Sequence, residues 1–454
     1  MTTMRNQILC RIVVVILLAP PLTVAAMDRS AAWRRRFMES RQARSLDGHA
    51  EPDPWADPAS SFGHLPTKYM NPSGSKEADR IAALPGQPPR VDFRQYAGYV
   101  TVDEENGREL FYYFVESPSD AASKPLLLWF NSGPVCSSLG YGAMMELGPF
   151  RVNRDGKTLS RNEHAWNKVA NVIFLEAPIG IGFSYSNTTS DYHHIGTGRA
   201  AMDMYFFMLH WLERFPEYKG RDFYIGGDGF AGRFAPKLAS IIVASRKNTG
   251  KNPINLNGIF VGNPNLDVYK GERGRLEFLW NHGVISDEHW TNITKHCSFS
   301  PYDNETQCYD ALYSGAYQAL YTANNNTDVF DWDNIYAPTC IKSPNGTSYS
   351  SSYLPGYDPC VDVDVYFNDH EVQKAIHARI NTRWEACGEL DPEPERIFII
   401  ERGTYALLAC SHWIESVVIQ WRYGLHELTD GDEILRQGFE ARRNKTMAPL
   451  VHVC

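Results

Sequence analysis

The chain has 454 residues, with a hydrophobic fraction of 43% and an aromatic fraction of 13%, enough for one large domain with insertions or two ordinary domains. Its formal net charge of -9 gives no electrostatic reason to expect a nucleic-acid partner. No zinc-type cluster of cysteines and histidines is visible, and no cofactor or metal is predicted.

The first 26 residues have the pattern of a secretory signal peptide. Arg5 and Arg11 precede an apolar run that ends at Leu18, and small residues follow up to Ala26. Because the run is shorter than the roughly 20 apolar residues that a spanning helix needs, no stable membrane anchor is predicted. Residues 27–83 are polar and irregular, and we interpret them as a leader, either a propeptide or a disordered segment.

Acceptor sites for glycosylation and the cysteine count both suit the secretory pathway, with an extracellular or a vacuolar destination. Six N-x-S/T acceptors begin at Asn187, Asn292, Asn304, Asn325, Asn345 and Asn444. Of nine cysteines, Cys10 lies in the signal. An even number of cysteines remains, which predicts disulfides, although sequence alone leaves their pairing open.

Strands and helices alternate through residues 84–265. Two β-rich runs at 96–102 and 109–115 flank a turn and predict a hairpin. Apolar residues recur with helical spacing from Ala201 to Leu212 and from Ala231 to Ile242. Continuous apolar runs predict buried strands at 126–131, 171–175, 223–225 and 258–261. This alternation predicts an α/β domain with a mostly parallel sheet.

Composition changes after this first part of the core. Residues 266–355 are richer in charge, Asn, Ser and Tyr, and they hold four of the acceptor sites and three cysteines. We interpret them as a cap insertion that covers one end of the sheet. Residues 356–454 are interpreted as the return to the core, with a helix in which Val372, Ala375 and Ile376 share a face.

The stretch around Gly229 has the spacing of a nucleophile elbow that lacks a nucleophile. A strand-like run ends at Ile225, a glycine-rich corner follows, and helical spacing begins at Ala231. The elbow pattern G-x-S-x-G needs small residues around the nucleophile so that the strand can turn sharply into the helix. Gly227 and Gly232 are placed to serve that corner, and Gly229 is near its apex. Glycine tolerates the strained backbone but has no attacking atom.

This corner and several separated motifs resemble the plant-type serine carboxypeptidases, a family of α/β-hydrolases. The family's elbow G-E-S-Y-A-G reads G-D-G-F-A-G here, so its nucleophilic serine falls on Gly229. The other matching motifs are W-F-N-S-G-P-V-C-S-S from Trp129, E-L-G-P-F from Glu146, E-A-P-I-G-I-G-F-S-Y from Glu176 and V-Q-K-A-I-H-A from Val372. The resemblance covers roughly residues 83–388 and implies an α/β-hydrolase fold.

The resemblance also implies roles for individual residues. Asn131, Glu146 and Asp228 match the residues that hold a substrate carboxylate, and Asp228 is one methylene shorter than the family's glutamate. The oxyanion hole would use the N–H groups of Gly133 and Phe230. The implied ligand is a peptide or a small acyl compound, and the resemblance leaves a homodimer open.

Three disulfides are implied by the same resemblance. They are Cys136 with Cys387, Cys297 with Cys308, and Cys340 with Cys360. Cys410 and Cys454 match nothing in the family's pattern.

The family's catalytic aspartate and histidine are not recognisable. No aspartate follows the strand-like run 396–400, and His412, His426 and His452 lack the flanking glycines and proline of the family's histidine loop. We interpret these histidines as ordinary surface or core residues. Because the resemblance fades from about Leu390, the C-terminal part of the core is predicted to be divergent or truncated.

Three hypotheses about function follow. The preferred one is a secretory serine carboxypeptidase-like protein that is catalytically impaired or inactive, because loss of the nucleophile in a Ser-His-Asp enzyme lowers turnover on the order of 10⁶-fold. The second is an active carboxypeptidase or acyltransferase with an unrecognised nucleophile, for which Ser137 and Ser138 are poor candidates because they lie in another loop. The third is a non-functional, truncated gene product.

Overall fold

The computed structural model describes most of the chain between residues 74 and 387. The described ranges are 74–131, 136–192, 196–249, 253–266, 268–300, 305–312, 335–336, 338, 340–342, 348–350, 361–387 and 416–419. The strands are β1 (Arg80–Ile81), β2 (Gln95–Asp103), β3 (Arg108–Val115), β4 (Leu126–Phe130), β5 (Phe150–Val152), β6 (Leu159–Arg161), β7 (Asn171–Glu176), β8 (Tyr185–Ser186), β9 (Asp222–Asp228), β10 (Asn255–Gly262), β11 (Cys340–Lys342), β12 (Ser348–Ser350) and β13 (Ser416–Ile419).

Helices connect and cover these strands. They are α1 (Ser138–Glu146, with the wide turns of a π-helix), α2 (Thr197–Arg214), α3 (Ala231–Thr249), α4 (Val268–Asn281), α5 (Asp287–His296), α6 (Glu305–Ala311), α7 (Val363–Phe367) and α8 (His370–Ala375). Short 3-10 turns occur at Trp166–Lys168, Thr189–Tyr192 and Pro216–Tyr218.

Within the described residues, a nine-stranded mixed sheet has the order β1-β2-β3-β7-β4-β9-β10-β13, and β8 pairs with β3. The predicted hairpin is confirmed as antiparallel β2 and β3, with Tyr99 opposite Phe111. The four predicted apolar strands are confirmed as β7, β4, β9 and β10, which run parallel to one another at the centre. Strands buried on both faces carry continuous apolar runs, and for this reason the sequence revealed them.

Helices pack on both faces of this sheet. On one face, α2 and α3 contribute residues such as Trp211 and Leu238, which pack with Phe114 and Leu128 of the strands. On the other face, α1, α7 and α8 surround the sheet residues Trp129, Phe174 and Tyr113. Both long predicted helices are confirmed as α2 and α3, so the architecture is a three-layer α/β domain.

The end of the predicted leader is folded onto the sheet. In β1, Ile81 is buried, and the strand pairs antiparallel with the start of β2. Just before it, the Asp79 carboxylate accepts hydrogen bonds from Arg214 Nη1 and from the Tyr112 hydroxyl, both at 2.6 Å. Residues 74–83 therefore belong to the folded body, because a buried ion pair holds a segment whose polar composition resembles a leader.

The region interpreted as a cap has a small apolar cluster of its own. Leu276 and Leu279 of α4 pack with Ile293 of α5. Trp280 and Trp290 stack with their ring centroids 5.3 Å apart. Strands β11 and β12 pair with each other and with no strand of the large sheet among the described residues.

Beyond residue 387 the structure describes one short strand. β13 runs parallel to β10, with Val418 opposite Phe260. No strand was predicted at this position, and the candidate strand at 396–400 lies outside the described residues. No helix among the described residues is long and apolar enough to span a bilayer.

Candidate functional site

The sharp corner between β9 and α3 is built as the sequence predicts. Gly229 lies between the two elements with φ +53°, in the left-handed region that favours glycine. Its N–H donates to the Gly262 carbonyl (2.9 Å), and its carbonyl accepts from the Asn265 N–H (2.7 Å). The corner is thus tied to the end of the neighbouring strand β10, while the position of a nucleophile holds only a backbone.

Gly227 leaves no space for a side chain at this corner. A Cβ atom there would lie 2.4 Å from the Ala231 Cβ and 2.5 Å from the Phe130 carbonyl oxygen. One neighbour is a main-chain oxygen and the other is a Cβ atom, so neither can move away by side-chain rotation. The close approach of β4, β9 and α3 therefore depends on a glycine two residues before Gly229.

Phe230, the predicted second donor of the oxyanion hole, follows directly in the corner. Its ring packs against Phe234 with centroids 5.2 Å apart, and the Arg233 guanidinium lies 4.8 Å from the ring centre. Gly133, the predicted first donor, lies outside the described residues. The hole stays a prediction for this chain.

Asn131 stands directly after β4, and its side-chain amide is held at both ends. Its Nδ2 donates to Glu146 Oε2 (2.7 Å), and its Oδ1 accepts from the Trp129 indole N–H (2.7 Å). Because the indole N–H can only donate, it fixes which end of the amide faces Glu146. A buried polar side chain with both ends bonded is a pre-oriented donor.

Glu146 is the last residue of α1, and it titrates in an unusual environment. Burial and, to a lesser extent, the nearby negative charge of Asp228 raise the pKa of Glu146 to about 8, against the hydrogen bond from Asn131 and the positive charge of Arg151. The interaction with Asp228 means that the two predicted acids lie close together although they are far apart in sequence. We call Asn131, Glu146 and Asp228 the carboxylate clamp, after the role that the family resemblance predicts for them.

The two serines considered above as replacement nucleophiles are committed to internal contacts. The Ser137 hydroxyl donates to the Glu176 carboxylate and accepts from the Gly140 N–H (2.8 Å). The Ser138 hydroxyl accepts from the Asn131 N–H (3.1 Å). Both side chains are buried, and within the described part of the chain neither hydroxyl is bonded to a histidine. His412, His426 and His452 lie outside the described residues.

Two of the three predicted disulfides are confirmed. Cys136 is bonded to Cys387 next to the clamp, and Cys297 is bonded to Cys308 at the end of α5. Cys340 is also disulfide-bonded, and its predicted partner Cys360 lies outside the described residues.

Two of the six glycosylation acceptors fall on described residues. Asn187 is exposed after β8, and Asn292 is half-buried on α5. The other four, Asn304, Asn325, Asn345 and Asn444, lie outside the described residues. Modification at all six sites stays a prediction.

Comparison with known proteins identifies the family of this chain. A family model described as serine carboxypeptidase matches residues 85–394. Serine carboxypeptidase-like 28 of Arabidopsis thaliana is 47% identical over 321 residues, covering 69% of this chain and 68% of the relative. Serine carboxypeptidase-like 26 of Oryza sativa subsp. japonica is 42% identical over 340 residues, covering 69% of this chain and 68% of the relative. The chain belongs to the serine carboxypeptidase family.

A solved structure supports the fold of this serine carboxypeptidase family member. A prohormone-processing carboxypeptidase from Saccharomyces cerevisiae superposes with a TM-score of 0.62 at 23% identity, covering 76% of this chain and 78% of that chain. The predicted α/β-hydrolase fold is therefore confirmed. At that identity, the likeness concerns the fold alone.

Two residues that support the clamp in this family member were not predicted from the sequence. Trp129 orients Asn131, and Arg151 donates to the main-chain carbonyls of Met145 (2.7 Å) and Glu146 (3.3 Å). The available signal for Trp129 was its position two residues before Asn131, since side chains at positions i and i+2 of an extended chain lie on the same face. Nothing local in the sequence connects Arg151 with the end of α1.

Proposed function

We propose that this protein binds the C-terminal carboxylate of a peptide or small acyl ligand in the carboxylate clamp without effective hydrolysis. The observation that carries the proposal is Gly229 at the apex of an otherwise complete corner. A glycine has no atom that can attack a carbonyl carbon. Without a nucleophile, a Ser-His-Asp site loses on the order of 10⁶-fold in turnover.

Glu146 and Asn131 supply the chemistry of binding. With a pKa of about 8, Glu146 is protonated at neutral and acidic pH, and its O–H can donate to an anionic carboxylate. The Asn131 amide is a second donor already aimed at the same place. Above the pKa, an ionised Glu146 would repel the ligand carboxylate, so affinity should fall as the pH rises through about 8.

Asp228 adjusts this clamp rather than removing it. The negative charge of Asp228 raises the pKa of Glu146 and so helps to keep Glu146 protonated. The aspartate is one methylene shorter than the glutamate that the family resemblance implies, so its direct bond to a ligand would be longer or bridged by water. Tight binding would then rest mainly on Asn131 and Glu146.

An active enzyme with another nucleophile is the alternative, and no described residue favours it. Ser137 and Ser138 lie between Asn131 and Glu146 in the sequence, and each is buried with its hydroxyl in a structural hydrogen bond. A reacting serine needs a base and access to the substrate: Ser138 bonds only a main-chain N–H among the described residues, and Ser137, which donates to the Glu176 carboxylate, has no exposed surface from which to reach a carbonyl.

Secretion is part of the proposal. Residues 1–26 would act as a signal peptide, and the chain would carry N-linked glycans, with an extracellular or vacuolar destination. N-terminal sequencing of the secreted chain should find a start near Met27, and deglycosylation should shift its mass. An intact N-terminus without a mass shift would contradict this route.

Calorimetric titration with a blocked dipeptide tests the binding proposal. N-benzoyl-glycyl-phenylalanine should bind at about pH 7 at least tenfold more tightly than its C-terminal amide, because the amide cannot accept a shared proton as a carboxylate does. The Asn131→Ala variant is expected to lose most of this preference. Equal affinity for the acid and the amide would contradict a carboxylate clamp.

A further inference from the structure

A fully buried glutamate lies outside the clamp, and it connects three separate parts of the chain. The Glu176 side chain stands at the end of β7 with no exposed surface. One carboxylate oxygen accepts from the Ser137 hydroxyl and the Trp384 indole N–H (3.4 Å). The other oxygen accepts from the Phe183 main-chain N–H (2.6 Å).

The space around this carboxylate is closed. A Cβ atom on Gly182 would lie 2.0 Å from a Glu176 oxygen, and Gly182 has φ +52°. The turn after β7 therefore wraps tightly around the acid. Such a close fit suggests a specific structural task for the carboxylate, since a buried charge is otherwise costly.

Ser137 carries the influence of Glu176 to helix α1. Ser137 is the residue before α1, and its hydroxyl oxygen accepts the Gly140 N–H (2.8 Å) in the manner of a helix cap. Donation of its own hydrogen to Glu176 fixes the orientation of the hydroxyl, so that a lone pair faces the Gly140 N–H. The Ser137 N–H also donates to the Ala386 carbonyl (2.8 Å), which keeps the cap at a fixed place.

Helix α1 ends at the clamp. Glu146 is its last residue, and Gly142 in its middle touches Asn131 so closely that a Cβ atom would lie 2.3 Å from Asn131 Oδ1. A shift of α1 at its capped end would therefore change the distance between the Glu146 carboxyl and the Asn131 amide. Misplacement on the order of 1 Å is enough to weaken a positioned site.

We propose that Glu176 is a positioning residue for the carboxylate clamp, acting through the Ser137 cap of α1. The inference deepens the proposed binding function and rests on it for its ligand. Protonated Glu176 would carry a hydrogen on one of two oxygens that each already face a donor. The bond from the Ser137 hydroxyl or from the Phe183 N–H would then weaken, because a protonated oxygen is a poorer acceptor and its hydrogen crowds the donor, so ionised Glu176 holds α1 best.

The ionisation of Glu176 falls in an accessible pH range. Burial raises its pKa to about 7, against the hydrogen bonds from Phe183, Ser137 and Trp384. Among the described residues, Tyr99 of β2 is the titratable side chain that interacts with Glu176, and burial raises the pKa of Tyr99 so far that it stays neutral. Arg379 lies beyond Tyr99, donating its main-chain N–H to the Tyr99 hydroxyl (3.0 Å). The neighbouring Ser137, Phe183 and Trp384 side chains do not titrate in this range.

Calorimetry with N-benzoyl-glycyl-phenylalanine tests the proposal on the full chain. Affinity of the unmodified protein should rise about fivefold from about pH 5.5 to 7.5, as Glu176 ionises and α1 tightens. The Glu176→Gln variant keeps the shape but not the titration, so its affinity should stay flat over that interval. Glu116→Gln is the matched control: Glu116 is also buried but bonds Arg94 and Tyr218, so the fivefold rise should remain.

Hydrogen exchange gives a readout that needs no ligand. Corrected for intrinsic rates, protection of amides 138–146 should increase about fivefold over the same pH interval, and this increase should be lost in Glu176→Gln and in Ser137→Ala. If the dipeptide binds no variant, the proposed function fails while exchange still decides the role of Glu176. The proposal is overturned if protection of α1 does not change with pH, or changes equally in Glu176→Gln.

Discussion

The corner at Gly229 can be tested through its neighbour Gly227. Replacing Gly227 by alanine adds one Cβ atom, which would lie 2.4 Å from the Ala231 Cβ and 2.5 Å from the Phe130 oxygen. These atoms belong to the first turn of α3 and the last residue of β4, so relief needs movement of backbone. Overpacking of a close-packed site typically costs about 1–3 kcal/mol, and contacts on two sides place this variant near ~3 kcal/mol.

Urea unfolding followed by tryptophan fluorescence would measure this loss as a lower midpoint at unchanged slope. Gly271→Ala is the control, because a Cβ atom there meets nothing within 4 Å and the residue lies in helix α4. An alanine inside a helix is expected to stabilise by roughly 0.5–1 kcal/mol relative to glycine. A Gly227→Ala variant that unfolds within about 0.5 kcal/mol of the unmodified chain would refute the close approach of the three elements.

Three further predictions concern single side chains. Asp79→Ala should lower the free energy of unfolding by about 3–5 kcal/mol, because it leaves the buried Arg214 without its carboxylate. As a control, Lys219→Ala removes an exposed ion pair and should cost under about 0.5 kcal/mol in the same assay. Glu146→Gln should flatten the pH dependence of stability. The pKa of Glu146 in the folded state is raised to about 8, so the stabilisation from its protonated carboxyl is complete below the ordinary pKa of a glutamate and is lost as the pH rises through about 8. A fall in stability toward pH 8 that is equally steep in this variant would contradict the raised pKa of Glu146. Trp129→Phe should weaken dipeptide binding about tenfold with little change in fold, because the Asn131 amide loses the donor that orients it. Unchanged affinity would show that Asn131 needs no such support.

The sequence revealed the central part of this fold because its signals are local. Continuous apolar runs marked β4, β7, β9 and β10, and the glycine spacing around Gly229 marked the corner between β9 and α3. The motif resemblance supplied pairs that are distant in sequence, including Cys136 with Cys387. Such pairs cannot be found from periodicity or composition.

Interactions between polar residues far apart in the chain could not be predicted. Asp79 and Arg214 fold a leader-like segment onto the sheet, and neither residue has a local pattern that points to the other. Glu176 belongs to a recognised motif, yet its link to Ser137 and Trp384 depends on how three loops meet. Strand β13 was also missed, since a short run of Val417, Val418 and Ile419 is too brief to distinguish a strand from another short apolar segment.

The central claim is that a serine carboxypeptidase fold here binds a carboxylate ligand without cleaving it. The most direct measurement incubates the purified, glycosylated chain with saturating N-benzoyl-glycyl-phenylalanine between about pH 4 and 8 and quantifies free phenylalanine by mass spectrometry, alongside labelling with a fluorophosphonate probe. The account predicts binding with no phenylalanine release and no probe adduct, and Gly229→Ser alone should not change this. Release or labelling by the unmodified chain, abolished by replacing some other serine, would contradict the account and establish a nucleophile outside the corner.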